Sequence, residues 1–193
     1  HAGTFFWKSK DITMTSLDIH FLHGFGMVGQ HSENITMDDV DFEAPKESGR
    51  TTAGYADFVQ MSGCKGTINI SNCTFAGPHD DPINIHGTFN TVTAISSDRR
   101  TITVQYNHNE TAGFPNFFEG DEIEFMTKGN MITVEDSVRT VTKVDGPDGM
   151  GGNMGDGSGS LTTIKLTLNE AVPSDVQVNQ HVVENITYTP TVN

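Results

Sequence analysis

The chain has 193 residues, enough for one domain of ordinary size or for two small ones. A formal net charge of -14 argues against nucleic acid as a partner, because phosphate rewards clustered Lys and Arg. No apolar run approaches the ~18 residues needed to span a bilayer, so no transmembrane segment is expected. Only 35% of residues are hydrophobic. Leu is rare, while Ile, Val, Thr, Asn, Asp and Gly dominate, which suits strands joined by turns and predicts an all-β chain. With His1 first and no initiator Met, the sequence reads as a segment of a longer or processed protein.

The first predicted elements form an internal repeat. Residues 11–19, 34–42 and 67–75 align with apolar residues in four columns. These are Ile12, Ile35, Ile68; Met14, Met37, Ile70; Leu17, Val40, Cys73; and Ile19, Phe42, Phe75. Within each segment the alternation has period two, slips by one residue, then resumes. A slip inverts the faces unless the chain turns a corner there. The first two segments start 23 residues apart, a length that fits one turn of a parallel β-helix. The third starts 33 residues after the second, and the polar, Pro- and Gly-containing stretch 44–54 accounts for the excess as a loop. A second group of strands, 26–30, 57–61 and 81–85, repeats between these segments. Residues 1–87 are therefore predicted to be stacked β-helix turns; an antiparallel sandwich is the competing fold.

From Thr88 the pattern changes. Strands are predicted at 91–95, 101–105, 121–126, 138–144, 162–168 and 181–187, with polar turns between them. Residues 88–182 read as an inserted antiparallel meander or small β-barrel, and 183–193 as the start of a returning β-helix turn. The Gly-rich tract 145–159 reads as a flexible hairpin loop rather than a calcium site, since it lacks EF-hand spacing. Cys64 and Cys73 read as packed free thiols, and sequons at Asn34, Asn69, Asn72, Asn109 and Asn185 carry no functional weight in so Asn- and Thr-rich a chain.

Chemistry gathers in the second strand group. Asp57 and Asp81 hold equivalent places in successive turns, and neighbouring strands lie about 4.8 Å apart. Strict alternation turns Asp80 outward with Asn84 and His86 but Asp81 inward with Ile83, unless Pro82 makes a corner. Stacked like charges raise one pKa and keep the other low, the asymmetry that a general acid and a general base need at one pH. His79, Asn84, His86 and Gln60 are the candidate substrate-binding residues beside them, and Trp7, Tyr55 and Phe25 are possible aromatic faces. Planar polar groups with an aromatic face suit a carbohydrate. His20, His23 and His31 read as solvated or locally bonded. No metal-ligand pattern stands out beyond His20-x-x-His23, so no metal is expected.

Three stretches carry a family resemblance: Gly24-Phe-Gly-Met-Val-Gly-Gln-His-Ser-Glu-Asn34, Gly54-Tyr-Ala-Asp-Phe-Val59 onward to Gly63-Cys64, and Gly77-Pro-His-Asp-Asp-Pro-Ile-Asn-Ile-His-Gly-Thr88. Together they resemble glycoside hydrolase family 110, the bacterial α-1,3-galactosidases of the type that cleaves blood group B. The resemblance implies a right-handed parallel β-helix with small β-barrel insertions. It further implies exo-hydrolysis of terminal α-1,3-linked galactose with inversion, no cofactor, and catalytic aspartates at Asp57, Asp80 and Asp81. The implied partner is an oligosaccharide or glycoconjugate ending in α-galactose, met in the periplasm or outside the cell. Later turns of the implied helix are missing, so the segment alone is expected to lack part of the substrate groove. The alternatives are a polysaccharide lyase or galacturonase on the same fold, for which Arg50 and Lys65 are the nearby cations, or a non-catalytic glycan-binding or structural β-helix.

Overall fold

The computed structural model describes residues 2–108, 111, 114–147 and 162–193. They divide into two compact units, one of residues 1–87 with 188–193, the other of residues 88–187.

The first unit holds two parallel sheets. In one, β1 (Ala2–Trp7), β3 (Phe25–Gln30), β5 (Val59–Ser62) and β8 (Ile83–His86) lie side by side in that order. In the other, β2 (Lys10–Ile19), β4 (Glu33–Phe42), β6 (Lys65–Ser71) and β15 (Pro190–Val192) do so, with the short β7 (Thr74–Phe75) also paired to β4. The apolar columns of the repeat are the register of this second sheet. Ile12 pairs with Ile35, Met14 with Met37, Leu17 with Val40 and Ile19 with Phe42. Ile35 then pairs with Ile68, Met37 with Ile70, and Phe42 with Phe75.

The one-residue slip has a backbone cause. Ser16, Asp39 and Asn72 occupy the slip position in the three segments, and each has a positive φ, between 52° and 57°. A left-handed residue bends the strand and resets which face the next side chain takes; Asp and Asn tolerate it better than other non-glycine residues. Ser16 donates to Asp39 at 2.7 Å across this corner. Asp11, Asn34 and Gly66 repeat the device at an earlier corner, where Asn34 donates to Asp11 at 2.8 Å. Inside, the Phe42 ring stacks on Phe58 and Phe75, with centroids 5.1 and 5.5 Å away. Gly26 passes so close that a Cβ there would lie 2.2 Å from the Phe58 carbonyl oxygen.

Two features depart from expectation. β1 has no counterpart among the predicted strands, because its run of consecutive exposed residues lacks clean alternation. The strands predicted from Asp57 and Asp81 begin two residues later, at Val59 and Ile83. Phe58 and Val59 are both fully buried, so the inward–outward phase breaks between them, and Asp57 stands on the far side of that break. At the position of the expected corner, Val59 donates its N–H to the Pro82 carbonyl at 3.2 Å.

The second unit is a closed antiparallel barrel of β9 (Phe89–Ile95), β10 (Thr101–Gln105), β11 (Glu122–Thr127), β12 (Arg139–Asp145), β13 (Thr163–Leu168) and β14 (His181–Asn185), ordered β10-β13-β12-β11-β14-β9. Alternation along these strands sends Ile102, Val104, Ile123, Phe125, Ile164 and Leu166 into its core. The order is not that of a simple meander, because β10 pairs with β13 rather than β11. The sequence places residue 183 onward in a returning turn, but His181–Asn185 pair with β11 and β9 in the barrel. Parallel pairing resumes only with Pro190–Val192 against β6. Asn109 and the Gly-rich positions 148–159 lie outside the described residues. Among the described residues no helix is long and apolar enough to cross a membrane.

Candidate active site

The candidate site stands where the chain enters β5 and β8. The backbones run in step: Phe58 donates its N–H to the Asp81 carbonyl at 3.1 Å, and Gly26 donates to the Asp57 carbonyl at 2.9 Å. This pairing brings Asp57 beside the 79–81 turn despite their separation in sequence. Asp57, Asp80 and Asp81 each offer one carboxylate oxygen, and these oxygens all lie within 4.8 Å of one another. Asp57 is 5% exposed, whereas Asp80 and Asp81 are exposed. One acid is thus fixed in the fold, and the other two face solvent.

Asp57 has a dedicated partner. The Asn84 side-chain amide donates to its Oδ2 at 3.1 Å. Asn84, a candidate substrate ligand from sequence, therefore spends one N–H on holding an acid. Asn84 is in register with Gln60, and His86 with Ser62. The His86 ring has a readable tautomer. Nδ1 lies 2.8 Å from the Gly87 carbonyl, which only accepts, so Nδ1 carries the proton. Nε2 is left to accept from the Gln60 amide over a long 3.5 Å contact. Gln60 on β5 and His86 on β8 thus form a polar pair beside Asn84. His79 is exposed and meets the Tyr55 ring in a T-shaped contact, with centroids 6.1 Å apart and planes at 76°.

Other candidates fall elsewhere. His20 donates from Nδ1 to the Glu43 carbonyl at 2.9 Å. His31 is buried against the Tyr188 ring, with centroids 4.9 Å apart. Arg50 lies 4.8 Å over the Phe21 ring, and Lys65 reaches Glu33 at 3.8 Å and the Tyr188 ring. Both cations proposed for an anionic substrate are therefore engaged with groups outside the acid cluster. Cys64 and Cys73 are free thiols, and burial pushes Cys64 up to about 11. Among the described residues, ligating side chains converge in a group of three or more only at the three aspartates. That spacing fits one small donor-rich molecule. Two hydrogen bonds of ~2.7 Å from one water, opened to about the tetrahedral angle, set their acceptors about 4.4 Å apart. It also fits a cation, whose oxygen bonds run roughly 2.0–2.6 Å.

Comparison with known proteins adds the context. The family model for GLAA-B beta-barrel domain II matches residues 101–147, within the barrel. Over 190 residues the chain is 50% identical to alpha-1,3-galactosidase A of Streptomyces avermitilis, covering 98% of this chain and 29% of that protein. The chain is homologous to the α-1,3-galactosidases. Identity is 46% to alpha-1,3-galactosidase A of Peterkaempfera griseoplana and 40% to that of Bacteroides thetaiotaomicron, over 98% and 96% of this chain. The resemblance drawn from the three motifs therefore holds across nearly the whole chain, the barrel included. The chain spans less than a third of the length of these curated relatives.

Two contacts escaped the sequence reading. The Asn84–Asp57 bond joins side chains 27 residues apart, and alternation alone gave Asn84 only an outward direction. The Tyr55–His79 contact joins rings 24 residues apart, and no local pattern signals it.

Proposed function

We propose that this chain supplies the hydrolytic centre of an exo-acting α-1,3-galactosidase that removes terminal α-linked galactose with inversion, with Asp57, Asp80 and Asp81 as the catalytic carboxylates. The observation that carries this reading is the convergence of three carboxylates from two separate turns. The names of the relatives supply the sugar and the linkage. In the same reading the parallel sheets are successive turns of a right-handed β-helix. The 23-residue offset between β2 and β4 and the repeated left-handed corners support it. The glycan substrate argues for a periplasmic or extracellular site of action.

The chemistry needs one acid and one base. A protonated carboxyl gives its proton to the glycosidic oxygen as the C1–O bond breaks. A carboxylate takes a proton from the water that attacks C1 on the opposite face. Acid and base in an inverting enzyme stand about 6.5–9.5 Å apart, whereas a retaining pair stands about 5–5.5 Å apart. One oxygen of each acid lies within 4.8 Å of the others, and in this reading the exposed Asp80 or Asp81 turns away from Asp57 to leave room for the attacking water. Asp57, buried and bonded to Asn84, is the fixed member. No step calls for a cofactor.

The test uses the full-length enzyme and an α-1,3-linked galactobioside. Asp57→Asn, Asp80→Asn and Asp81→Asn, made singly, are each expected to lower kcat by about 100-fold or more without changing the melting temperature. Proton NMR of the first product should show β-galactose, and EDTA should leave the rate unchanged. Near-normal turnover in all three variants ends the proposal. An α-galactose product ends the inverting mechanism alone.

A further inference from the structure

Beside the acids stands an aromatic residue that the fold does not use. Tyr55 is 73% exposed, the most exposed large side chain of the apolar and aromatic set among the described residues. It precedes Asp57 by two residues, and its ring contacts His79, the neighbour of Asp80. The contact is T-shaped, so His79 covers at most one face of the tyrosine ring. On the preceding turn Ala56 donates its N–H to the carbonyl of Gly24, a residue that brings no side chain to this place. An exposed ring thus stands two residues before Asp57 and against His79, the neighbour of Asp80.

An exposed aromatic face beside paired acids suits a pyranose. In galactose the axial 4-hydroxyl gathers the hydrogens of C3, C4 and C5 on one face, making an apolar patch of about one ring's size. We propose that Tyr55, positioned by His79, is the platform on which that face of the galactosyl ring rests, leaving the glycosidic bond over Asp57, Asp80 and Asp81. Tyr55 is then a specificity-determining residue, preferring galactose over glucose, whose equatorial 4-hydroxyl breaks up that patch. This inference rests on the galactosidase reading above.

The test is again made in the full-length enzyme. Tyr55→Phe keeps the ring and is expected to retain kcat/KM within about 3-fold, while Tyr55→Leu keeps bulk without a π face and should lower it about 10-fold or more, mainly through KM. Saturation-transfer NMR with free galactose should show the strongest transfer at H3, H4 and H5 in the wild type and its loss in Tyr55→Leu. Tyr55→Ala serves as a third variant; its exposure predicts an unchanged melting temperature. If the wild type releases galactose and Tyr55→Leu matches it in KM and saturation transfer, the platform is overturned while the acid cluster stands. If the wild type releases no galactose, the reading of the site fails and the platform with it.

Discussion

At the residue scale, Asp57 differs from its two neighbours in what surrounds it. It is buried, the Asp57–Phe58 peptide is paired on both sides, to Gly26 and to Asp81, and its Oδ2 accepts from Asn84. Asp80 and Asp81 lie exposed in a turn. A hydrogen bond to a charged group is worth about 1.5–3 kcal/mol, and its loss leaves a buried carboxylate short of a partner. Asn84→Ala in the full-length enzyme should therefore lower kcat by about 10–100-fold with little change in KM, because Asn84 acts through Asp57. A loss confined to KM would instead make Asn84 a substrate ligand. Asp57 and Asp81 were legible as a pair because equivalent places in a repeat become neighbours in space. The Asn84 amide was not, because which atom a side chain bonds depends on the phase break between Phe58 and Val59, and no local pattern marks that break.

At the element scale, the barrel contains a like-charge pair. Glu184 on β14 stands directly opposite Glu124 on β11. Burial, reinforced by the Glu124 charge, pushes the Glu184 carboxyl above its ordinary value of 4.5. The folded chain therefore holds this proton more tightly than the unfolded chain. Below the ordinary value both states are protonated, and the pair costs nothing. As pH rises past the raised value, the folded state alone bears the penalty, and stability falls. Glu184→Gln should leave the melting temperature unchanged near pH 3 and raise it at pH 7, through a gain in stability of roughly the 0.2–1 kcal/mol of a cross-strand pair. Equal melting at pH 7 would show that the pair is fully solvated. Local alternation revealed the barrel strands, since Thr101–Gln105 and Thr163–Leu168 each send every second residue inward. Their order was illegible, because alternation says which face is buried but not which strand lies alongside. The β1 strand was missed because most of its side chains are exposed whichever way they point.

At the scale of the whole molecule, the two units each have a core drawn from their own residues. One gathers around Phe42, Phe58 and Ile35, the other around Phe125, Tyr106 and Leu166. The barrel closes on itself, so none of its six strands presents an unpaired edge. Its first and last strands are neighbours: Phe89 on β9 pairs with Glu184 on β14. The chain therefore enters and leaves the barrel at adjacent points, which is the geometry of an insertion. Domains of about 55–65 residues can already fold alone, and the barrel unit is larger. Residues 88–187 expressed alone should show a strand-type circular dichroism spectrum and a single cooperative melting transition. The Glu184→Gln shift at pH 7 should be reproduced in this excised unit, since both partners lie within it. A chain that melts without a transition, or binds a dye for exposed apolar surface, would mean that the barrel core is completed from outside residues 88–187. Closure of the sheet would then be an insufficient criterion for an independent unit here.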